Sequence, residues 1–547
     1  MSNSYNKWFH PYKPAKAYQK KVAYFSMEFG IDQGLKIYSG GLGFLAGSHM
    51  RSAFELKQNM IGIGMLWKFG YYDQGRNSDQ TLRTNFIEKN YSFLEDSGLE
   101  VEVTINENHA VKVRAMVLKP EIFGTVPLYL LTTDVEGNDF LSRTITDHLY
   151  DNNSFTRISQ NIVLGIGGAK IVQALGGADI YHLNEGHALP ALYYMRNIGI
   201  TKDKFRFTTH TPEKAGNTER EGNLLNKSGF FGRILPEEEL HKEVVGYGVL
   251  NYTVSALRLS KRSNAVSKLH AKVAQGMWKD FDGISDIIPI TNSQNQAFWQ
   301  DKPLKAAWEK KNKKSFIARK KLLKSQLFEQ VLDQTGKIFN PDVITIVWAR
   351  RFAQYKRADL ILRDLERFER LASSTKYPIQ LIWAGKPYPK DAYAVDLFNH
   401  LVRYSKDKKN IAILTGYEIA LSKKLKTGSD IWLNTPRITR EASGTSGMTA
   451  AMNGSLNLSI NDGWIPEFAV NGKNGFILPE ANPESSEWDQ DNFDSNNLYD
   501  VLENKVLPMY YEQEEKWMEM VFKGIEGVIP KFSSKRMAKE YYTKLYK

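Results

Sequence analysis

The sequence contains no cysteine. Disulfide bridges, thiolate metal sites and thiol nucleophiles are thereby excluded, and a reducing compartment suits the chain. A long uninterrupted apolar run is also missing. The opening MSNSYNKWFHPYKPAKAYQK has nothing like the apolar core of a signal peptide. The most apolar stretch, residues 162–180, is broken by Lys170, Gln173 and several glycines. No membrane partner is expected, and a cytoplasmic protein is. Acidic residues are the scarcer charge, 61 against 73 Lys and Arg, for a formal net charge of +12. Such an excess admits a polyanion. Zinc-ligand spacing, an RNA-binding aromatic signature and a basic region with heptads are all absent, so no nucleic-acid partner is expected.

What the chain does have is ordinary globular material. Its 547 residues, 42% apolar and 24% charged, suffice for about two to four domains of roughly 100–200 residues. The charge is unevenly placed. Residues 302–324 hold ten Lys or Arg against one Glu, nine of the net twelve positive charges. Leu304, Ala307, Trp308, Phe316, Ile317, Leu322 and Leu323 in that segment fit an amphipathic helix with a solvated basic face.

Strand-like and helix-like runs alternate. Residues 21–27, 61–67, 179–183 and 205–209 read as strands, with a helical pattern at 156–175 and β-rich runs across 99–132. The grammar repeats later. Strands are expected at 343–348, 379–384, 411–415 and 430–433, and helices at 358–371, 392–404 and 444–452. A polar loop is expected at 484–497 and a helical tail from 498. Alternation of this kind predicts an α/β class with two doubly wound parallel sheets, whose ligands bind outside the carboxyl ends of the strands.

Several constellations could carry chemistry there. Ser39-Gly40-Gly41-Leu42-Gly43 enters a helix, either as a tight turn or as backbone open to an anion. It matches neither a Walker loop nor a Rossmann fingerprint. His182-Leu183-Asn184-Glu185-Gly186-His187 follows a strand, and its His and Glu could also be read as metal ligands. His210 lies in Phe207-Thr208-Thr209-His210-Thr211-Pro212, again at a strand end. Arg350-Arg351-Phe352-Ala353-Gln354-Tyr355-Lys356-Arg357 ends another strand, where Arg351 and Lys356 are either surface charge or a phosphate grip. Lys386, in Trp383-Ala384-Gly385-Lys386-Pro387, is a similar candidate. Arg440-Glu441-Ala442-Ser443-Gly444-Thr445-Ser446-Gly447-Met448 opens a helix with small and hydroxylic residues, an anion site preceded by a carboxylate suited to sugar hydroxyls.

With these motifs the chain resembles the α-glucan (glycogen/maltodextrin) phosphorylases, in their short bacterial and archaeal form. The resemblance runs through YFSMEFG, YSGGLGFLAGSH, RISQNIVLGIGGAK, HLNEGHALPAL, FTTHTP, RRFAQYKR, WAGKP, EASGTSGM and NDGWIPEF. It implies a GT-B-type architecture, two Rossmann-like domains with the active site in the cleft between them. The expected division is 1–286, 287–520 and a C-terminal helix, 521–547, packing back on the first domain. It implies phosphorolysis of terminal α-1,4-glucosyl units of glycogen or maltodextrin by inorganic phosphate, giving glucose 1-phosphate with retention. A homodimer is implied as well.

Carried over by motif, Gly40, Gly41 and Leu42 are the loop that meets phosphate and sugar. Glu185 lines the sugar site, His210 faces the glucosyl unit, and Asn292 contacts the sugar. Arg351 and Lys356 grip substrate phosphate; with His210 they form the expected catalytic set. Glu441, Ser443 and Gly444 meet sugar hydroxyls, and Thr445 and Ser446 bind the phosphoryl group of pyridoxal 5′-phosphate.

The chain departs from the pattern where the cofactor's lysine should stand, because that position is Thr449. A threonine forms no Schiff base, and no lysine lies between Lys426 and Lys473. Pyridoxal phosphate is therefore expected to be noncovalent, unless a lysine from elsewhere reaches in. Two other readings stay open, a glucosyltransferase using a nucleotide sugar and a catalytically silent glucan-binding protein. A smaller departure is Ser293 after Asn292, where the family has glycine.

Overall fold

Short apolar runs ending in glycine or polar residues are what strands buried on both faces look like, and the sheets form at these runs. The computed structural model describes residues 5–106, 108–246 and 248–547. They divide into two units. One holds the described residues up to Tyr72, with Phe86–Thr291 and Ser534–Lys547; the other holds Asp73–Asn85 and Asn292–Ser533.

The first unit is built on a nine-stranded sheet. Its strands are β1 (Val22–Phe25), β2 (Met60–Met65), β3 (Glu95–Ile105), β4 (His109–Leu118), β5 (Leu128–Thr132), β6 (Ile180–Asn184), β7 (Phe205–Thr208), β8 (Arg262–Ala265) and β9 (Ile287–Pro289). Their order is β9-β8-β7-β6-β1-β2-β5-β4-β3. From β9 to β5 the pairing is parallel, and β4 and β3 add an antiparallel edge. Every residue of β1, β2, β6 and β7 is buried. The helix α1 (Gly41–Glu55) follows β1. The helical pattern at 156–175 forms one run, Ser154–Ile162, a π-helical stretch Val163–Gly167 and Gly168–Ala174.

Residues 534–547 complete this unit. The Ser534 hydroxyl lies 2.6 Å from that of Ser52, and Gln58 donates to the Ala538 carbonyl at 3.0 Å. Tyr546 Oη sits 2.8 Å from His182 Nδ1, while the buried Arg206 donates to the carbonyls of Leu545 and Lys547.

The second unit has six parallel strands: β10 (Ile344–Ala349), β11 (Ile379–Ala384), β12 (Ile411–Leu414), β13 (Ile431–Asn434), β14 (Leu456–Ser459) and β15 (Phe476–Ile477). Their order is β12-β11-β10-β13-β14-β15. The helices of this unit include α2 (Gln296–Trp299), α3 (Lys313–Thr335), α4 (Ile419–Gly428), α5 (Thr445–Met452) and α6 (Glu514–Lys531). Val521, Ile525 and Val528 bury α6 in the apolar cores of this unit.

Four features differ from the sequence expectation. The units divide at 291/292 and 533/534 rather than at 286/287 and 520/521. Residues 73–85 form a hairpin that belongs to the second unit, because Gln74 donates to the Gly385 carbonyl at 2.8 Å and Asn399 accepts from Leu82 N at 2.8 Å. The polar stretch 484–497 is no loop. A helix spans Glu487–Val501, capped by Ser486 Oγ accepting from Asp489 N, and its Asp494 is buried against Arg357. Finally, the basic segment 302–324 is only partly solvated. Lys320 and Lys324 point inward from α3, where Lys324 pairs with Asp430 at 2.6 Å and Lys320 donates to the Asn453 carbonyl at 3.0 Å.

Candidate active site

Polar side chains gather after the carboxyl ends of the strands in each unit. In the first unit Glu28, three residues past β1, is 3% exposed. Its carboxylate accepts from Ser39 N at 2.6 Å, Ser39 Oγ at 3.0 Å, Gly40 N at 3.2 Å and Tyr150 Oη at 2.7 Å. A buried carboxylate thus fixes the glycine loop. The loop's glycines serve two purposes. A Cβ on Gly43 would lie 2.8 Å from Glu28 Oε2, and one on Gly47 would lie 2.0 Å from the Gly30 carbonyl oxygen, so these two are required by packing. A Cβ on Gly40 or Gly41 would meet nothing within 4 Å, and neither has positive φ. Among the described residues no packing contact demands glycine at 40 or 41, which is the expected signature of backbone approached from outside.

Glu185 follows β6 with φ +72°, a strained conformation for a side chain of this kind. Three hydrogen bonds hold it there. Its carboxylate accepts from His210 N at 2.7 Å, Gly186 N at 3.1 Å and Thr211 Oγ1 at 3.3 Å. Burial nevertheless raises its pKa, the backbone donors offsetting part of the effect. His210, after β7, lies 2.7 Å by Nε2 from Asn184 Oδ1. Asn184 Nδ2 donates to Ser26 Oγ, so this network assigns the ring hydrogen to His210 Nε2. Burial, with His270 and His187, lowers the His210 pKa to about 3. The ring is neutral at ordinary pH, and its Nδ1 is an acceptor. His182 does not join this group, being engaged by Tyr546 and Thr208. Among the described residues no cluster of His, Asp and Glu fits a metal ion, so the metal reading of His182, Glu185 and His187 is set aside.

In the second unit the centre is Glu441. Its Oε2 lies 3.1 Å from Arg350 Nη1 and 3.2 Å from Lys356 Nζ. Arg350 reaches it from the end of β10, where its guanidinium also meets Asn434 Oδ1 and, at 3.5 Å, Ser446 Oγ. Burial favours a neutral Glu441, but Lys356, Arg350 and Arg351 outweigh it and hold the carboxyl below its usual pKa. Lys356 is lowered to about 8 by burial and by the neighbouring arginines, against the pull of Glu441. It is therefore mostly protonated at neutral pH. Arg357 fixes this loop, donating to the carbonyls of Thr435 and Pro436 and pairing with Asp491 and Asp494. Arg351 is exposed, and Lys386 is ion-paired with Glu418 at 3.0 Å.

The loop before α5 is held from behind by Asp462. Its carboxylate accepts from Glu441 N at 2.8 Å and Gly463 N at 2.7 Å, and burial raises its pKa to about 7. Gly463 has φ +62°, and a Cβ there would lie 2.3 Å from the Ser443 carbonyl oxygen. Gly444 then turns the chain at φ +88° into α5, whose first residues are Thr445 and Ser446. Among the described residues, Ser443 Oγ, Arg350 Nε and Asn292 Oδ1 are buried without a hydrogen-bond partner. The two donors among them, Ser443 Oγ and Arg350 Nε, come from residues beside the N-terminus of α5 and fit a phosphoryl group, while Asn292 Oδ1 is an acceptor suited to a hydroxyl. Thr449 is fully buried one turn further, its hydroxyl donating to the Ser446 carbonyl at 3.0 Å. The side chain at 449 thus offers no covalent attachment.

Sequence reasoning singled out Arg351, whereas the structure brings its neighbour Arg350 to Glu441 along with Lys356. It also passed over Glu28 and Asp462. Each is a carboxylate inside an otherwise apolar or glycine-rich motif, YFSMEFG and NDGWIPEF, and that isolation was the available signal.

Comparison with known proteins gives a consistent result. The carbohydrate phosphorylase family model matches residues 300–505. An uncharacterised protein of Methanocaldococcus jannaschii is 46% identical over 96% of this chain and all of its own length. The maltodextrin phosphorylase of Thermococcus litoralis is 34% identical over the whole of this chain and 72% of its own. The glycogen phosphorylase of Aquifex aeolicus is 31% identical over 97% of this chain and 86% of its own. With relatives of this similarity matched across nearly its full length, the chain belongs to the carbohydrate phosphorylase family.

Proposed function

We propose that the protein is a retaining α-glucan phosphorylase, cleaving terminal α-1,4-glucosyl units of glycogen or maltodextrin with inorganic phosphate to give glucose 1-phosphate. The observation that carries this reading is the Glu441–Arg350–Lys356 cluster beside the N-terminus of α5. Two cations share one carboxylate there. An arriving phosphate can take up their charge in a buried setting where such contacts are strong. The exposed Arg351 meets the phosphate first, and Lys356, charged below about pH 8, binds it.

In this reading the first unit receives the glucosyl unit. Gly40, Gly41 and Leu42 offer backbone, and Glu185 accepts hydrogen bonds from sugar hydroxyls. His210 is neutral, so it orients a hydroxyl through Nδ1 and does not act as an acid. Asn292, Glu441, Ser443 and Gly444 bind further hydroxyls. Thr445 and Ser446, with Ser443 and Arg350, would hold the phosphoryl group of pyridoxal phosphate. When bound, that cofactor supplies a phosphate able to exchange a proton with substrate phosphate. The GT-B-type pairing of two doubly wound units, a homodimeric state and a cytoplasmic setting belong to the same proposal.

The test is direct. Purified protein is given maltodextrin, phosphate and added pyridoxal phosphate, and glucose 1-phosphate is measured. Glucose 1-phosphate that depends on the cofactor supports the reading. Its absence, with glucosyl transfer from ADP-glucose or UDP-glucose instead, would sink it.

A further inference from the structure

Between Tyr72 and Phe86, both of the first unit, the chain passes into the second unit to form the hairpin of residues 73–85. The hairpin attaches at the carboxyl ends of β11 and β12. Arg76 donates to the Ile413 carbonyl at 2.5 Å, and Gln74 uses both ends of its amide on two turns. Gln74 Nε2 donates to the Gly385 carbonyl at 2.8 Å, in the turn after β11. Its Oε1 accepts from Gly416 N at 3.0 Å and Tyr417 N at 3.2 Å, in the turn between β12 and α4. The two ends of the amide are not interchangeable, because Gly385 offers a carbonyl and the other two offer N–H groups. One residue further along each turn stand Lys386 and Glu418, whose 3.0 Å ion pair ties the same two turns a second time.

Both turns bear on the backbone at Arg350. Gly385 packs so closely on Arg350 that a Cβ at 385 would lie 1.9 Å from the Arg350 carbonyl oxygen, and Arg350 N donates to the Ala384 carbonyl at 3.2 Å. From the other turn Tyr417 Oη donates to the Ala349 carbonyl at 3.3 Å, a buried contact. The peptide units before and after Arg350 are thus each braced by a turn that Gln74 holds. The guanidinium carried on this backbone meets Glu441, Asn434 and Ser446. Hydrogen bonds weaken steeply with misalignment, so whatever steadies the backbone at 350 also sets how well the guanidinium meets its partners.

We propose that Gln74 is a positioning residue for the phosphate grip. It fixes the turns after β11 and β12, and through them the backbone that aims Arg350; it acts through Arg350 and not by contact with phosphate. The proposal rests on the phosphorylase reading for the identity of the bound anion.

The full-length protein is compared with two variants and a control. Gln74→Met removes every hydrogen bond of the amide at similar side-chain length. Gln74→Glu keeps an acceptor for Gly416 and Tyr417 and turns a bare oxygen toward the Gly385 carbonyl. The control, Asn77→Ala, removes the hydrogen bonds to Thr81 and Leu82 within the hairpin and leaves both turns alone. Binding of inorganic phosphate is read by titration calorimetry. KM for phosphate and for maltodextrin is read from glucose 1-phosphate with pyridoxal phosphate present, and the unfolding temperature is recorded for each chain. Gln74→Met should weaken phosphate binding and raise KM for phosphate about tenfold, with KM for maltodextrin held within about twofold. Gln74→Glu should show the same loss at about pH 8 and recover toward the unaltered chain, compared at the same pH, at about pH 5, where a protonated carboxyl donates to Gly385 again. Asn77→Ala should change neither constant. Unchanged phosphate binding in Gln74→Met, an equal loss for phosphate and maltodextrin, or the same loss in Asn77→Ala overturns the proposal. Should Gln74→Met not fold, Gln74→Glu decides, and a loss that does not recover at low pH overturns it. Glucose 1-phosphate formed with a phosphate KM indifferent to Gln74 overturns this assignment and leaves the phosphorylase reading intact. Phosphate binding weakened as expected, without glucose 1-phosphate from any chain, supports the assignment and counts against the reading.

Discussion

Glu441→Gln keeps the shape of the side chain and removes the charge shared by Arg350 and Lys356. The two contacts are 3.1 and 3.2 Å long, between side chains at most 13% exposed. At an effective dielectric constant of about 20, each is a Coulomb attraction of about 5 kcal/mol before desolvation. Taking one partner from a buried pair costs about 3–5 kcal/mol in practice, so about 4 kcal/mol is the expected loss at pH 7. Roughly half belongs to Lys356, which amounts to a fall of one to two pKa units in that lysine. The pH dependence gives a sharper test. Folded Lys356 loses its proton at about 8, and the unfolded chain keeps it to about 10.5. Between those values the unfolded state binds more protons, so this group makes stability rise with pH. Over the same window the wild-type cluster loses the charge of its lysine member, and the contact with Arg350 remains. The penalty of Glu441→Gln, read from urea unfolding, should therefore shrink from about 4 kcal/mol at pH 7 to about 2 kcal/mol at pH 10. A penalty that is constant across that range, or below about 1 kcal/mol at pH 7, would refute the reasoning.

Asp462, raised to about 7, holds a proton that the unfolded chain gives up near 3.8. Its contribution is present at low pH and lost as pH rises through about 7, so Asp462→Asn should flatten the urea-measured stability profile between those values. An unchanged slope would assign that proton elsewhere. Glu28→Gln turns an amide donor toward Ser39 N, Gly40 N or Tyr150, and should cost about 1–3 kcal/mol while raising KM for maltodextrin; unaltered stability and KM would remove Glu28 from the loop's support. Arg350→Ala should lower the unfolding temperature by leaving Glu441 and Asn434 without their buried partner. Arg351→Ala, at an exposed site, should leave that temperature alone and raise KM for phosphate, and the reverse pattern would exchange their roles.

Strands were readable because a parallel strand buried on both faces is a continuous apolar run, and Ile344–Ala349 or Ile379–Ala384 can be little else. The glycine-rich turns and strand-end polar motifs were legible for the same local reason. What escaped depends on partners distant in sequence. Nothing near Lys320 and Lys324 announces Asp430 or the end of α5, and without them a run of lysines reads as a wet surface. The choice between Arg350 and Arg351 turns on one step of β10 alternation and its register with Asn434. Helix Glu487–Val501 looked like a loop because three of its polar residues, Asp494, Asp491 and Asn492, pair with Arg357, Arg437 and Arg363, partners distant in sequence. Residues 73–85 are too polar and too short to reveal which sheet they join.

The return of residues 534–547 to the first sheet has a consequence during synthesis. The whole of Asn292–Ser533 must leave the ribosome before these residues exist. At roughly 5–20 residues per second the wait is about 12–50 s. Through that time His182 and Arg206 stand in an otherwise finished sheet without Tyr546, Leu545 and Lys547, their acceptors and cover. The unit that begins first is therefore the last to close, and nascent chains stalled within the second unit are the ones most exposed to mispairing and capture by chaperones.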